Sequence, residues 1–575
     1  TPNPKPRTPN PEPRTLNLLF RLIAFNARYI HSCPALFYVR SCLEENIPGC
    51  SPAIMQYCLN DPYYPTLRQI GLGEPDVLFF SVYIWNSSYI RRLVGDLVNI
   101  LPDTPIILGG PQAEALARNL PLEVYERCSV VSGEIEGVER SFYRDLQEQN
   151  LQRAYTCRKV NSFHSPYRQE DFTGPLQNRY IYYESSRGCP FNCTYCLSAS
   201  EKGIRHLPVS QVEEEIKEIL LHKPKVVRFV DRTFNDRPDR ALEIWRVLAE
   251  QPGDTLFHFE MAPDRFTNEM FEFLQQVGPG RFQFEIGVQS TNPETLEAIN
   301  RKCDLDKLEY NIPRLAALDT IHLHLDLILG LPYETGETYA RSFADVFALG
   351  PHYIQMGLLK ILPDTPISQE IENFGLLACE DPPYEIIANR WLDKDELEYL
   401  YWFGECVEAF YNNRYFRCFW QYLRKSGEDI FAFFQELLEQ CRIKKFFDLA
   451  KTQELLSSLL LEVTRNRQES ELSKELLIFD WLRCGHHFLP DHFETEPVVK
   501  NRNFLWKNME QNLEGIYDYK TRDEFFKQGV FFRFSGRLLQ ETGLSDAGEA
   551  AYVCFRPKRE NTVFRLNSFI LLPKV

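Results

Sequence analysis

Glu184-Ser-Ser-Arg-Gly-Cys189-Pro-Phe-Asn-Cys193-Thr-Tyr-Cys196 sets three cysteines at the spacing C-x3-C-x2-C. A loop of that length can gather three thiolates around one small centre. Three thiolates leave a four-iron cluster one donor short, so one iron stays open to another ligand. Arg187-Gly188 and Asn192 suit a tight irregular loop rather than a helix. The competing reading is a structural zinc loop. Zinc loops bring their cysteines in CxxC pairs and need a fourth ligand. No partner CxxC or HxxxH follows downstream.

Alternating strands and helices surround the loop. Ile181–Glu184 reads as a strand feeding it, and Val209 to Leu221 as a helix. Val226–Asp231, Thr255–Glu260, Phe282–Ser290, His322–Gly330 and Tyr353–Lys360 read as five further strands. Six βα units over 179–368, with polar residues at the strand ends, describe a (βα)6 partial TIM barrel with its site on the carboxyl face. Asp231 and Glu260 each end a strand, where an acid serves a helix cap or a loop ion pair as readily as a ligand. His322 and His324 alternate along one strand and are not read as catalytic.

Upstream, residues 16–149 carry strands at Leu18–Phe25, Asp76–Tyr83, Pro105–Gly110 and Cys128–Glu134, with helices over 34–46 and 87–100. This is the pattern of an α/β Rossmann-like parallel sheet, in which ligands bind outside the carboxyl ends of the strands. Those ends are Asn26 to His31, Ser81 to Trp85, Gly109-Gly110 and Gly133-Glu134. Residues 150–178 are polar and irregular and read as a linker. Residues 1–15 repeat PNPxPRT twice, and such a proline-rich tract is expected to be extended and disordered. The absence of a starting methionine suggests a fragment boundary or a mis-assigned start.

Beyond Pro366 the alternation stops. The region 369–575 reads as mainly helical, with helices over Asp393–Tyr411, Gly427–Cys441, Ala450–Arg465 and Glu475–Arg483. Strand character follows at Val530–Phe534, Ala551–Arg556 and Val563–Leu572.

Composition narrows the classes. The chain has 575 residues, 44% hydrophobic and 25% charged, with a formal net charge of −16. A broad nucleic-acid surface is not expected at that charge, and the basic runs Arg442–Lys445 and Arg556–Arg559 read as solvated faces. No apolar run is long enough to span a membrane and no secretory segment opens the chain. Sixteen scattered cysteines with one close trio point to a metal or cluster in a reducing compartment, hence the cytoplasm.

The cysteine spacing, the aromatic Tyr195 before the third cysteine and the order of the strand-end motifs resemble the radical S-adenosylmethionine (SAM) superfamily. The preceding Rossmann-like region resembles the cobalamin domain of its B12-binding members. The C-terminal region resembles the extra domain of an uncharacterised subgroup of these proteins. The resemblance implies a [4Fe-4S] cluster on Cys189, Cys193 and Cys196, with SAM on the open iron. It implies SAM contacts at Glu285, Gln289 and Ser290, with Arg301 closing the next helix, and at Asp326, Gly330 and Leu358. For cobalamin it implies Ser81, Tyr83, Trp85, Gly109, Gly110, Gly133 and Glu134. The Asp-x-His-x-x-Gly loop of many B12 proteins is missing; Asn26-Ala-Arg-Tyr-Ile-His31 stands in its place.

The activity so implied is cleavage of SAM to a 5′-deoxyadenosyl radical and cobalamin-dependent methylation of an unactivated carbon. It would need a small-molecule or lipid-like substrate and an external electron donor of flavodoxin or ferredoxin type. No general acid or base is singled out. Two alternatives remain. One is a radical SAM enzyme without functional cobalamin, either an oxidoreductase or methylthiotransferase-like; the latter would hold a second three-cysteine cluster in the N-terminal domain, but Cys33, Cys42, Cys50, Cys58 and Cys128 are not spaced as a cluster loop and read as ordinary buried thiols. The other is a non-catalytic metal-binding scaffold.

Overall fold

The computed structural model describes residues 18–200, 203–495, 498–510, 521–546, 548–555 and 569–573. The proline-rich tract 1–15, Arg556–Arg559 and most of the last expected strand lie outside them.

The first sheet is built from β1 (Leu19–Asn26), β2 (Ser51–Cys58), β3 (Val77–Ser81), β4 (Ile106–Gly109), β5 (Cys128–Ser132) and β6 (Ala154–Thr156). They run parallel in the order β2-β1-β3-β4-β5-β6. Central β3 is buried at every position, as a strand covered on both faces must be. Two strands were not read from the sequence, β2 and β6, and both are edges. β2 carries Pro52, tolerated only where no ladder bond is needed, and is half-buried at seven of its eight positions, so it has no alternation to read. β6 is three residues long and pairs with β5 through Val130–Ser132, so the stretch 150–178 is in part sheet rather than linker throughout.

The second sheet follows. β7 (Ile181–Tyr183) leads to the short antiparallel pair β8 (Ser186–Arg187) and β9 (Arg205–His206), which brackets the cysteine loop. Then come β10 (Val226–Phe229), β11 (Leu256–Met261), β12 (Phe282–Gln289), β13 (His322–Leu329) and β14 (Tyr353–Leu358). The order β14-β13-β12-β11-β10-β7 is sequential and parallel, and β7 does not pair with β14, so the barrel is open. β12 alternates strictly between buried and half-buried side chains, and β13 does the same in the opposite phase. Phe257, Phe259, Phe282, Phe284, Leu323 and Leu325, all fully buried, face the helices. The half-buried set faces the lumen.

An open barrel has two edges with unpaired backbone groups, which proteins cover. At β7, Tyr180 N donates to Ile30 O (2.6 Å), Ser32 Oγ donates to Tyr180 O (2.7 Å) and Tyr167 Oη donates to Tyr182 O (2.6 Å). At β14, the Asn412 side chain takes the place of a neighbouring peptide: Ile354 N donates to its Oδ1 and its Nδ2 donates to Ile354 O, both at 2.9 Å. Asn412 follows the helix Lys394–Phe410, which Asp393 and Glu396 cap reciprocally. A hairpin of β15 (Leu377–Ala378) and β16 (Ile386–Ala388) prolongs this cover; neither strand was expected. Helices over Arg417–Ser426, Ile430–Ile443, Gln453–Thr464 and Ser470–Arg483 continue one apolar core with the barrel, in which Phe343 meets Phe403 and Phe434 edge-on. β17 (Val530–Phe534), β18 (Ala551–Phe555) and β19 (Phe569–Leu571) form a small antiparallel sheet. No helix of the described residues is long and apolar enough to cross a membrane.

Candidate active site

The cysteine loop is fastened at four points. Asp231, fully buried at the end of β10, accepts from Ser185 N (3.0 Å), Ser185 Oγ (2.6 Å) and Ser186 Oγ (2.5 Å). Arg240 donates to Ser185 O (2.9 Å) and Leu207 O (3.1 Å). Asp231 is therefore an anchor of the loop. On the far side Thr194 N donates to Ile299 O (2.9 Å), Ile367 N to Thr194 O (3.0 Å) and Asn300 Nδ2 to Asn192 O (3.0 Å). Gly188 holds φ +102, and a Cβ there would lie 2.1 Å from Gly203 O, so only glycine fits the turn.

Cys189, Tyr195 and Cys196 pack on one cluster with Phe191, Cys193 and Ala262. Burial, together with the charges of Cys196 and Cys193, pushes the Cys189 thiol up. Thiols set so close in an apolar niche need a cation to ionise. Arg301 is at hand: its Nη1 lies 3.8 Å from Cys193 Sγ, its Nη2 donates to Gly287 O (2.5 Å), and it lies over the Phe191 ring. Among the described residues no three Cys, His, Asp or Glu side chains are drawn together as a single-ion site. A four-iron cluster asks for something different, since each cysteine holds its own iron.

Below the loop the lumen is polar in layers. Register puts Tyr182, Arg228, His258 and Gln283 on one level, Glu260, Glu285, His324 and Tyr353 on the next, and Gly287, Asp326 and Gln355 above. Barrels usually fill these levels with branched aliphatics. Glu285 accepts from His258 Nε2 (2.9 Å) and Arg228 Nη2 (3.3 Å). Burial pushes its carboxyl up, but the His258 bond and the charges of His258, His324 and Arg228 outweigh it and hold it at about 2. Glu260 makes no ion pair or hydrogen bond among the described residues; burial pushes it up to about 7, with Arg232 opposing and Glu285 adding. Burial and the charges of Glu285 and Glu260 drive Asp326 well above the carboxylate range. His324 Nε2 lies 3.2 Å from Asp326 Oδ1, without the direction of a hydrogen bond, and Asp326 Oδ1 has no partner. Gln289, in the left-handed region at φ +74 where the register slips, leaves its buried Oε1 unpartnered.

Two residues expected to touch SAM are placed otherwise. Ser290 is fully buried, donates to Glu334 Oε1 (3.1 Å) and accepts from the backbone N of Asn292 (3.0 Å), the residue that caps the next helix. Gly330, φ +84, is glycine because a Cβ would meet Ile386 Cγ2 at 2.7 Å, against β16. Leu358 pairs with Leu329 at the end of β14 and is half-buried against the core.

The strand ends of the first sheet face the barrel mouth. Tyr83 stacks on Trp85 (4.4 Å, 9° between planes), and Trp85 is 47% exposed. Arg232 of the barrel is close enough to stabilise a Tyr83 phenolate, although burial dominates and pushes Tyr83 upward. Asn86 ties the strand ends, donating to Phe25 O and Ser81 O (3.1 Å each). Ser81 accepts from the Cys33 thiol (3.3 Å), so its hydroxyl is directed into the domain. Gly109 has no atom nearer a would-be Cβ than Val131 O at 3.8 Å. At Gly110 (φ +101) a Cβ would collide with Val82 O at 2.7 Å, and at Gly133 (φ +100) it would crowd Cys157 at 3.2 Å. His31 gives Nδ1 to Tyr182 Oη (2.6 Å), a junction contact.

Glu134 also belongs to the junction. Its carboxylate holds Arg187 (3.1 Å) and Arg205 (2.9 Å), and Arg187 further pairs with Glu136 (2.9 Å) and Glu184 (2.8 Å). The N-terminal cysteines do not gather. Cys128 lies in the core on one face of the first sheet, while Cys33, Cys42 and Cys50 lie on the other. The sequence reading missed Arg228, His258 and Arg232. Arg228 interrupts the apolar run Val226–Phe229, the signal that one face of that strand is polar.

The family pattern described as the radical SAM superfamily matches residues 183–346, and a protein family of unknown function, DUF4080, matches 372–547. The 2-(S-pantetheinyl)-carbapenam-3-carboxylate methyltransferase of Streptantibioticus cattleyicolor is 24% identical over 427 residues, 64% of this chain and 62% of that one. The cobalamin-dependent radical SAM methyltransferase TokK of Streptomyces tokunonensis is 25% identical over 53% of this chain and 50% of its own. The chain thus spans between half and two thirds of these relatives' lengths. The cobalamin-dependent S-adenosylmethionine radical enzyme OxsB, solved with aqua-cobalamin and S-adenosylmethionine, superposes with a TM-score of 0.57 at 14% identity, over 81% of this chain and 79% of that one.

Proposed function

We propose that this chain is a radical SAM enzyme with a B12-type Rossmann-like domain before its barrel and a DUF4080 region after it, and that it is a cobalamin-dependent methyltransferase acting on an unactivated carbon. The observation that carries the reading is the convergence at the barrel mouth. Arg301 ties the Cys189–Cys196 loop, through Cys193, to Gly287 on β12, and from the other sheet Tyr83 of the Tyr83–Trp85 pair comes within electrostatic reach of Arg232 past the end of β10.

The residues fit the implied groups. Cys189, Cys193 and Cys196 would hold the cluster, beside a guanidinium suited to thiolates. Glu285, Gln289 and Leu358 would meet SAM at the barrel mouth. Gly109, where a Cβ would meet only Val131 O at 3.8 Å, and the Tyr83–Trp85 platform would take cobalamin without a protein histidine on cobalt, since His31 is engaged by Tyr182. When bound, the cluster supplies the electron that cleaves SAM to a 5′-deoxyadenosyl radical, and methylcobalamin supplies the methyl group. The chain's own part is to keep the loop rigid through Asp231 and Arg240, to hold Arg301 against Cys193, and to close the barrel edges against water. The reading implies a small-molecule substrate, an external donor of flavodoxin or ferredoxin type, and a cytoplasmic setting.

The test is anaerobic purification with the cluster rebuilt. The expected outcome is brown protein that retains hydroxocobalamin near one per chain after desalting and releases 5′-deoxyadenosine from SAM under reduction. A Cys193→Ala variant is expected to lose the colour and the release. Release of 5′-deoxyadenosine without retained cobalamin would leave a radical enzyme of another reaction type.

A further inference from the structure

The lumen below the mouth holds two carboxyls without a bonded cation. Glu260 makes no ion pair or hydrogen bond among the described residues, and Asp326 Oδ1 is buried without a hydrogen-bond partner, with the equally unpartnered Nε2 of His324 3.2 Å away. The cations nearby are directed elsewhere. Arg228 is given to Glu285, and Arg301 to Gly287 O and Cys193. Arg232, exposed at the end of β10, makes no ion pair with Glu260. Beside them His258, 3% exposed, spends Nε2 on Glu285 and leaves a buried Nδ1 without a partner. The space is real: the side chains of Glu285, Arg228 and Asp326 keep 26%, 28% and 19% of their surface inside the barrel.

We propose that this lumen binds a substrate carrying a protonated nitrogen, seated between Glu260 and Asp326. The proposal rests on the radical SAM reading and adds the substrate class. An ammonium offers three donors and a positive charge, which is what the two carboxyls lack. It would also restore both carboxyls to their charged forms. Glu260 is faced by Arg228, Arg232 and Asp231 from β10 and its end and by Glu285 from β12. Asp326 is faced by Glu285, Glu260 and Arg301, with His324 on its own strand. The cation therefore releases protons as it binds. A lipid without a charged group would leave these acceptors unsatisfied, at a penalty for each.

SAM itself carries an ammonium, and the test separates the two. The holoenzyme, with cluster and cobalamin, is loaded with SAM while reductant is withheld, so that the mouth is filled. 1,4-Diaminobutane and its uncharged analogue 1,4-butanediol are then titrated by calorimetry at pH 6 in two buffers of different ionisation heat. The diamine is expected to bind about tenfold or more tighter than the diol, the size of one charge-assisted hydrogen bond, and to release protons. Glu260→Gln is expected to lose most of that preference. The unaltered chain alone gives the proton count if the variant does not fold. Equal binding of diamine and diol overturns the proposal. So does a Glu260→Gln variant whose SAM affinity falls as far as its diamine affinity, which would assign the carboxyl to SAM. Failure of the unaltered chain to bind SAM sinks the radical reading and this proposal with it, and it is seen before any diamine is added.

Discussion

Arg187 Nη1 lies 3.1 Å from Glu134 Oε2, and this contact joins the strand entering the cysteine loop to the loop that leaves β5 of the other sheet. The two side chains keep 9% and 17% of their surface. The pair makes the position of the first sheet over the barrel and the shape of the cysteine loop one property rather than two. Removing one partner of a buried ion pair costs about 3–5 kcal/mol, because the other charge is stranded. Arg187→Ala strands Glu136 and Glu184, while Glu134 keeps Arg205, and is expected within that range. Thermal melting reads the loss, and the iron content of the rebuilt protein is expected to fall with it. Glu134→Gln leaves Arg187 two carboxylates and is expected to cost less.

The paired glycines of β4 separate in their effects. Gly109→Val adds a side chain where the nearest atom is 3.8 Å away, so the fold is expected to survive while cobalamin retention is lost. Gly110→Val drives its Cβ against Val82 O and forces a β-branched residue to φ +101, strain of about 1–3 kcal/mol before the clash is counted. Its melting temperature is expected to fall whether or not cobalamin is present. Desalting after hydroxocobalamin addition, with a melt in parallel, distinguishes a binding edge from a folding defect. Equal retention by Gly109→Val and the unaltered chain would remove that edge from the cobalamin site.

Glu260 gives the substrate-free enzyme a pH dependence with a definite sign. Its carboxyl is raised from the ordinary carboxylate range to about 7 by burial, so the folded chain holds a proton that the unfolded chain has released between those values. Stability therefore falls as pH rises through that window and levels off above about 7. Glu260→Gln is expected to flatten this slope and to gain on the order of 1–3 kcal/mol over the unaltered chain at pH 8, with little difference at pH 4. Urea melts at the two pH values check it. A slope unchanged in the variant would place the proton on another group.

The lumen-lining strands were legible because β12 and β13 alternate with period two over eight residues each, and tertiary packing had nothing to override. The cysteine loop was legible from spacing alone. What escaped reading was short or contextual. β6, β15 and β16 have three, two and three residues, too few to show a period. The helix Arg417–Ser426 opens with a buried arginine whose partner, Asp319 at 2.9 Å, stands 98 residues away. Ser290 and Gly330 were assigned to SAM because they stand in motif positions. The folded chain spends one on Glu334 and on the cap residue Asn292, and the other on admitting Ile386. Glu134 follows a strand end, where a ligand contact is a fair expectation, but Arg187 and Arg205 claim it. A sequence shows which residues reach a strand end, and only the fold shows which way they turn.

Asn412→Ala removes both bonds that its amide makes to Ile354 at the edge of β14. Leaving a backbone donor and acceptor there unmatched is expected to cost about 1–3 kcal/mol. Hydrogen exchange should rise first at Ile354, and a strand whose amide exchanges no faster would mean that another group covers the edge.

That one amide has a consequence for heredity. The region past Pro366 supplies the cover for β14, so it is no detachable cassette that a lineage could gain or lose while the barrel kept working. Cutting the gene at the end of the sixth strand would yield a sticky, self-associating half-protein. A descendant that shed the region would first have to invent another neighbour for Ile354.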